Sequence, residues 1–132
     1  MSAKILLVED NATNRYLATF LLENRGFQVV HASNGREALS RARDERPDLI
    51  LMDIQMPEMD GYEAARLLRE QPDLAQIPIV GVTSYAMVGD RDKAMHLGFV
   101  GYIEKPISTE TFVNEISSFL PPRPDPHENP QR

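Results

Sequence analysis

Several features that mark other protein classes are missing from this sequence of 132 residues. It has no cysteine, which excludes a disulfide framework and any cysteine-based metal site. No apolar stretch approaches the roughly 20 residues that a membrane-spanning helix needs. The first residues, Met1 to Lys4, lead directly into a short strand-like run and not into a signal peptide. These absences predict a soluble cytoplasmic protein without a membrane partner.

Clustered positive charge is also missing. The 14 lysines and arginines are outnumbered by 20 acidic residues, giving a net charge of -6, and they are scattered along the chain. Proteins that bind nucleic acid neutralise its phosphates with clustered lysine and arginine. The composition therefore predicts no nucleic-acid partner.

What the sequence does contain is a series of short apolar runs that stop at polar residues. Each run has strand length, is rich in aliphatic residues without polar alternation, and is separated from the next by enough residues for a helix. This pattern predicts a parallel sheet that is covered by helices on both faces. The runs are 4–8 before Glu9 and Asp10, 48–52 before Asp53, 77–82 before Thr83, and 101–103 before Glu104 and Lys105.

The polar residues that follow these runs are expected to meet. The carboxyl ends of parallel strands lie along one edge of the sheet, where open α/β sheets bind their ligands. Glu9, Asp10, Asp53, Thr83 and Lys105 are therefore predicted to form one site.

Helical segments complete the alternation, with a further strand at 27–30. Right-handed crossovers between parallel strands then predict a doubly wound α/β fold in one domain, residues 1–120. Pro121–Arg132 contains five prolines and no apolar cluster, which predicts a disordered tail or a linker stub. The predicted helices are 11–25 with Leu17, Phe20 and Leu21 at helical spacing, a helix after Asn34-Gly35 that carries Ala38, Leu39 and Ala42 and stops at Pro47, a helix after Gly61 with Ala64, Leu67 and Leu68 inward, 87–97, and 109–120.

Three carboxylates at one edge need a partner of opposite charge. At about 4 Å and an effective dielectric near 20, each like-charged pair costs roughly 4 kcal/mol, so either a proton is retained or a cation lies among them. Oxygen ligands without histidine or cysteine favour Mg²⁺, or Mn²⁺, over zinc. Asp53, directly after a central strand, is the predicted nucleophile, and Glu9 and Asp10 are the predicted metal ligands.

These motifs, taken together and in order, resemble the receiver domain of bacterial two-component response regulators over about residues 3–120. The resemblance implies a flavodoxin-like five-stranded sheet in the order 2-1-3-4-5, in a single-domain regulator. It also implies Mg²⁺-dependent transfer of a phosphoryl group to Asp53 from a histidine kinase or a histidine phosphotransfer protein. The matching motifs are Val8-Glu9-Asp10-Asn11, 48–53 with Met56-Pro57 and Asp60-Gly61, Val82-Thr83, and Tyr102-Ile103 with Lys105-Pro106.

The resemblance further implies a role for each matching residue. Glu9, Asp10, Asp53 and the backbone carbonyl of Gln55 would hold the metal, and Thr83 and Lys105 would bind the phosphoryl oxygens. Tyr102 would turn inward when Thr83 moves and so change the binding of a downstream protein, in a monomer or in a dimer that depends on phosphorylation. A cis peptide bond before Pro106 is also implied.

Three alternatives share some of these residues. A Mg²⁺-dependent phosphohydrolase would use the same acids, but such enzymes commonly have an aspartate where Gln55 stands. A flavin-binding module of similar topology is a second alternative, but the carboxylates of Glu9 and Asp10 would repel the phosphate group of the flavin. A receiver-like adaptor that is never phosphorylated would not need the intact acidic set.

Two expectations concern the surroundings of the site. Gln55 and Tyr85 flank the path of the attacking water in the implied geometry, and neither is a strong general base, which predicts slow hydrolysis of the phosphorylated state. Exposed residues of the first helix, such as Arg15 and Tyr16, are the predicted docking site for the kinase.

Overall fold

The computed structural model describes residues 3–54, 61–83 and 90–120, in which strands and helices alternate. The strands are β1 (Lys4–Val8), β2 (Gln28–Ala32), β3 (Leu49–Asp53), β4 (Ile79–Thr83) and β5 (Phe99–Glu104). The helices are α1 (Ala12–Asn24), α2 (Gly35–Glu45), α3 (Gly61–Glu70), α4 (Asp90–His96) and α5 (Phe112–Phe119).

The strands form one sheet in the order β2-β1-β3-β4-β5, and every neighbouring pair is parallel. The predicted fold class and strand order are confirmed. The chain moves outward from β1 to β2 in one direction and from β3 to β5 in the other, and the helices that follow β1 and β3 lie on opposite faces of the sheet. Open α/β sheets bind their ligands at this switch point, beyond the carboxyl ends of the strands.

The core consists of two apolar layers, one on each face of the sheet. One layer lies under α2, α3 and α4, and the other lies under α1 and α5. Every residue of β3 and β4 is buried. Burial on both faces explains why these strands lack polar alternation.

Helix α1 forms as predicted, but only part of the apolar spacing noted in the sequence faces the core. Its buried residues are Ala18 and Leu22, while Leu17 and Leu21 are half-buried and Phe20 is 56% exposed. Residues four apart share a helix face, whereas residues two apart lie about 200° around the axis. The inward stripe therefore passes through Ala18 and Leu22, and Phe20 faces outward.

Other boundaries differ by a few residues. Asp53 and Thr83 are the last residues of β3 and β4, and α5 begins at Phe112. On α3, Ala65 is buried and Leu67 only partly so. The predicted start of the fourth helix falls within 84–89, outside the described residues, as does the predicted tail. Within the described ranges, none of the helices combines the length and apolar character that crossing a bilayer would require.

Candidate functional site

Three carboxylates meet at the switch point of the sheet. Glu9 directly follows β1 and Asp53 ends β3, and each is 4% exposed, whereas Asp10 is exposed. Oxygens from the three carboxylates lie within 4.8 Å of one another. The structure thus brings together the acids that the strand ends predicted.

A glycine allows α3 to begin directly against the end of β3. A Cβ atom on Gly61 would lie 2.7 Å from the carbonyl oxygen of Asp53, closer than side-chain atoms approach backbone. The Gly61 N–H donates to the carbonyl of Ile54 at 3.0 Å, and the Ile54 N–H donates to the carbonyl of Val82 at 2.9 Å. These contacts hold the backbone around Asp53 between α3 and β4.

Lys105 places a cation between the two buried acids. Its Nζ lies 3.1 Å from Oε1 of Glu9 and 3.4 Å from Oδ2 of Asp53, and its side chain is 13% exposed. Its backbone N–H donates to the carbonyl of Thr83 at 2.7 Å, and the Lys105–Pro106 peptide bond is cis. The ammonium group therefore offsets the repulsion expected between Glu9 and Asp53.

Two further predicted residues lie on the neighbouring strands β4 and β5. Thr83 is fully buried at the end of β4. Tyr102 is 7% exposed and belongs to the apolar layer under α3 and α4. Gln55 and Tyr85 lie outside the described residues.

The donor set fits a hard divalent cation. Ligands on opposite sides of an octahedral Mg²⁺ lie about 4.2 Å apart, twice the 2.0–2.1 Å Mg–O distance. Carboxylate oxygens that lie within 4.8 Å of one another need only small shifts to reach such a shell. Oε2 of Glu9 accepts the N–H of Asn11 at 3.2 Å, which orients that carboxylate. All of these donors are oxygens, which Mg²⁺ prefers.

A cavity on the α1 side of the site was not predicted from the sequence. It has a volume of about 230 Å³ and is lined by Ala12, Arg15, Tyr16, Thr19 and His31. Arg15 donates to the carbonyl of Glu9 at 3.3 Å and to Oγ of Ser33 at 3.4 Å. Burial, followed by repulsion from Arg15, lowers the pKa of His31. No sequence motif signals this cavity, because it arises where α1 crosses the end of β2.

Comparison with known proteins agrees with this geometry. Residues 5–117 match the family model of the response regulator receiver domain. The chain belongs to this family. It is 43% identical over 120 residues to the polar-differentiation response regulator DivK of Brucella anthropi, covering 91% of this chain and 98% of that protein.

Solved structures show the same fold. The chemotaxis response regulator CheY4 of Vibrio cholerae superimposes with a TM-score of 0.86 at 31% identity, covering 91% of this chain and all of that one. The receiver domain of a sensor histidine kinase from Pseudomonas aeruginosa has a magnesium ion coordinated in its active-site cleft. It matches with a TM-score of 0.82 at 33% identity, covering 90% of this chain and 98% of that one.

Family membership establishes the general function. The chain is a receiver domain and acts as a phosphoacceptor signalling switch in a two-component system. Receiver domains are switches and not conventional enzymes, they bind Mg²⁺ at an acidic site, and they interact with kinases or phosphotransfer proteins and with downstream targets. The phosphohydrolase and the flavin-binding module are thereby set aside.

Proposed function

We propose that Asp53 is the residue that accepts the phosphoryl group. The observation that carries this proposal is the position of its carboxylate, which is buried at the end of a central strand and 3.4 Å from the ammonium of Lys105. Asp10 reaches the same cluster but is exposed, and Glu9 is paired with Lys105 and with the N–H of Asn11. Asp53 thus occupies the centre of the switch point.

The other acids serve the metal in this proposal. Glu9, Asp10 and Asp53 would hold Mg²⁺ together with the backbone carbonyl of Gln55, and Mn²⁺ suits the same oxygen donors. When bound, the ion neutralises charge on the oxygens of the transferring phosphoryl group. The tight grouping of the three carboxylates supports this assignment.

The transfer itself needs one nucleophile and positive groups near the phosphorus. An oxygen of Asp53 attacks the phosphorus of a phosphohistidine on the donor protein and forms the new P–O bond. The P–N bond breaks, its electron pair remains on the imidazole nitrogen, and that nitrogen takes a proton from solvent. Lys105 and the hydroxyl of Thr83 bind the phosphoryl oxygens, since preorganised donors stabilise the charge that spreads over them.

The response to phosphorylation runs through Thr83 and Tyr102 in this proposal. Thr83 moves toward the phosphoryl group, and Tyr102 follows and changes the surface that a downstream protein binds. The chain works in the cytoplasm as a monomer or as a dimer that depends on phosphorylation, with residues 121–132 as a tail outside the domain. Its own catalysis is confined to this transfer and to slow autodephosphorylation, which Gln55 and Tyr85 would govern.

Metal dependence tests this function. Incubation with acetyl phosphate and Mg²⁺ is expected to add one phosphoryl group, seen by intact-mass spectrometry, because the acidic cluster cannot approach an anionic phosphate without added positive charge. Chelation of the metal with EDTA is expected to abolish the addition. Equal labelling with and without EDTA would contradict the role of the acids, and sustained turnover of p-nitrophenyl phosphate would favour a phosphohydrolase.

We further propose that the exposed side of α1 docks the phosphodonor protein. Tyr16 is 74% exposed and Phe20 is 56% exposed, four residues apart on the same face of α1. The cavity beside Tyr16 reaches Arg15, whose guanidinium contacts the backbone of Glu9 at the acidic cluster. An apolar helix surface on the donor can cover these rings while its phosphohistidine reaches Asp53.

Substitution of these aromatic rings tests the docking surface. Tyr16→Ala with Phe20→Ala is expected to slow phosphotransfer from the organism's histidine phosphotransfer proteins or kinases by about tenfold or more, the loss typical of interface hot spots. Labelling by acetyl phosphate should stay unchanged, since a small donor needs no docking. Met95→Ala is the matched control, because Met95 is 50% exposed on α4. If the double variant slowed phosphotransfer no more than Met95→Ala does, α1 would not be part of the interface.

A further inference from the structure

A cluster of aromatic residues connects the switch residue to two helices. The ring of Tyr62, in the first turn of α3, meets the ring of Phe99 edge-on with centroids 6.0 Å apart and an interplanar angle of 62°. The hydroxyl of Tyr62 lies 3.5 Å from the hydroxyl of Tyr102 on β5. Nζ of Lys93, on α4, lies 4.4 Å from the centroid of the Tyr62 ring. Tyr62 therefore touches α4 and β5 at once.

A glycine in the sheet makes room for the ring of Phe99. A Cβ atom on Gly81 of β4 would lie 2.9 Å from the ring of Phe99. Without a side chain at Gly81, Phe99 lies against the sheet and is 2% exposed. Phe99 in turn contacts the ring of Tyr62, over which Nζ of Lys93 lies. Gly81 and Tyr102 are direct neighbours in the register of β4 and β5.

We propose that Tyr62 couples the switch residue Tyr102 to helix α4. This inference deepens the proposed function and rests on it, since it assumes that Tyr102 responds to the state of Asp53. Tyr102 cannot leave its position in the apolar layer without losing the hydroxyl contact to Tyr62. A shift of Tyr62 in turn moves the ring on which the Lys93 ammonium lies. The state of the phosphoacceptor site thus reaches the exposed surface of α4 through one side chain.

The contacts are weak enough for a reversible switch. A hydroxyl separation of 3.5 Å is at the outer limit of hydrogen bonding. A cation–π contact at an exposed site shifts an equilibrium by about two- to fivefold. Tyr62 therefore biases the position of Tyr102 and Lys93 without fixing either.

The ring of Tyr62 provides its own spectroscopic probe. Protons on the terminal methylene of Lys93 lie near the ring face and are expected to resonate upfield of their random-coil position. Tyr62→Leu should abolish this displacement, whereas Tyr62→Phe should retain it because the ring remains. A Lys93 resonance at the random-coil position in the wild-type chain would overturn the proposal.

Coupling is tested by adding beryllium trifluoride with Mg²⁺ as a phosphoryl mimic. In the wild-type chain the Lys93 resonance should shift on binding, and in Tyr62→Phe that shift should fall at least twofold because the hydroxyl link is lost. Ser40→Ala removes an exposed hydroxyl on α2, outside the cluster, and should respond as wild type. An undiminished response in Tyr62→Phe would overturn the coupling alone. No change in the Asp53 and Lys105 amide resonances of the wild-type chain would instead overturn the proposed function.

Discussion

Asp53→Asn is expected to take up no phosphoryl group from acetyl phosphate and Mg²⁺, under conditions that label the wild-type chain. The amide oxygen carries no full negative charge and is a poor nucleophile, so the acyl phosphate cannot form. Intact-mass spectrometry separates the labelled and unlabelled chains directly. Neighbouring acids should not replace Asp53, since Asp10 is exposed and Glu9 is held by Lys105 and the N–H of Asn11.

A second aspartate controls for general loss of charge. Asp44 is exposed on α2, away from the strand ends, and Asp44→Asn should be labelled like the wild type. If Asp53→Asn were labelled as fully as Asp44→Asn, the acceptor would have to be another residue.

Lys105→Met is expected to lower the free energy of unfolding by about 3 kcal/mol in metal-free buffer. Removing one partner of a buried ion pair leaves the other partner's charge uncompensated, which costs far more than losing an exposed pair. Here the substitution leaves two carboxylates, on Glu9 and Asp53, each with no more than 5% of its side chain exposed. Phosphorylation should also slow by at least about tenfold, because one charged donor to the phosphoryl oxygens is lost.

The chain offers a matched control for this substitution. Lys4 forms an ion pair with Glu45 at the same 3.1 Å, but the two side chains are 26% and 29% exposed. Lys4→Met should therefore cost about 1 kcal/mol or less in urea unfolding. Addition of Asp53→Asn to Lys105→Met should recover part of the lost stability, since it removes one of the two buried negative charges, that of Asp53. If Lys105→Met lowered the free energy of unfolding no more than Lys4→Met does, burial would not strengthen the pairing of Lys105 with Glu9 and Asp53.

The fold could be predicted from the sequence because each strand carries two signals, its aliphatic composition and the polar residue at its end. Burial on both faces makes β3 and β4 uniformly aliphatic, and the chemistry of the site places a polar residue where each strand ends. Parallel strands then require that Glu9, Asp53, Thr83 and Lys105 converge, whatever the loops between them do. The strand order itself came from the family resemblance, since the local pattern of each strand does not show which strands are neighbours.

The features that could not be predicted depend on how a helix is rotated about its axis and on contacts between elements that are far apart in the sequence. Leu17, Phe20 and Leu21 have helical spacing, yet the stripe that packs on the sheet passes through Ala18 and Leu22. Periodicity alone does not choose between such overlapping stripes, because small residues such as Ala18 carry little hydrophobic signal.

The contacts of Tyr62 escaped prediction for a related reason. Lys93 and Tyr102 lie 31 and 40 residues away along the chain, and nothing in the local sequence pairs them with α3. They meet at Tyr62 only in the folded chain, and a pattern of residue types does not show such packing.

The most direct measurement is to locate the phosphoryl group chemically. Reduction of the acetyl phosphate-treated chain with sodium borohydride cleaves an aspartyl phosphate and leaves homoserine at that position, which peptide sequencing by mass spectrometry identifies. We expect homoserine at position 53 and unmodified Glu9 and Asp10, with no conversion when EDTA is present. Homoserine at position 10, or a stable phosphoryl group on a histidine or hydroxyl side chain, would contradict this expectation.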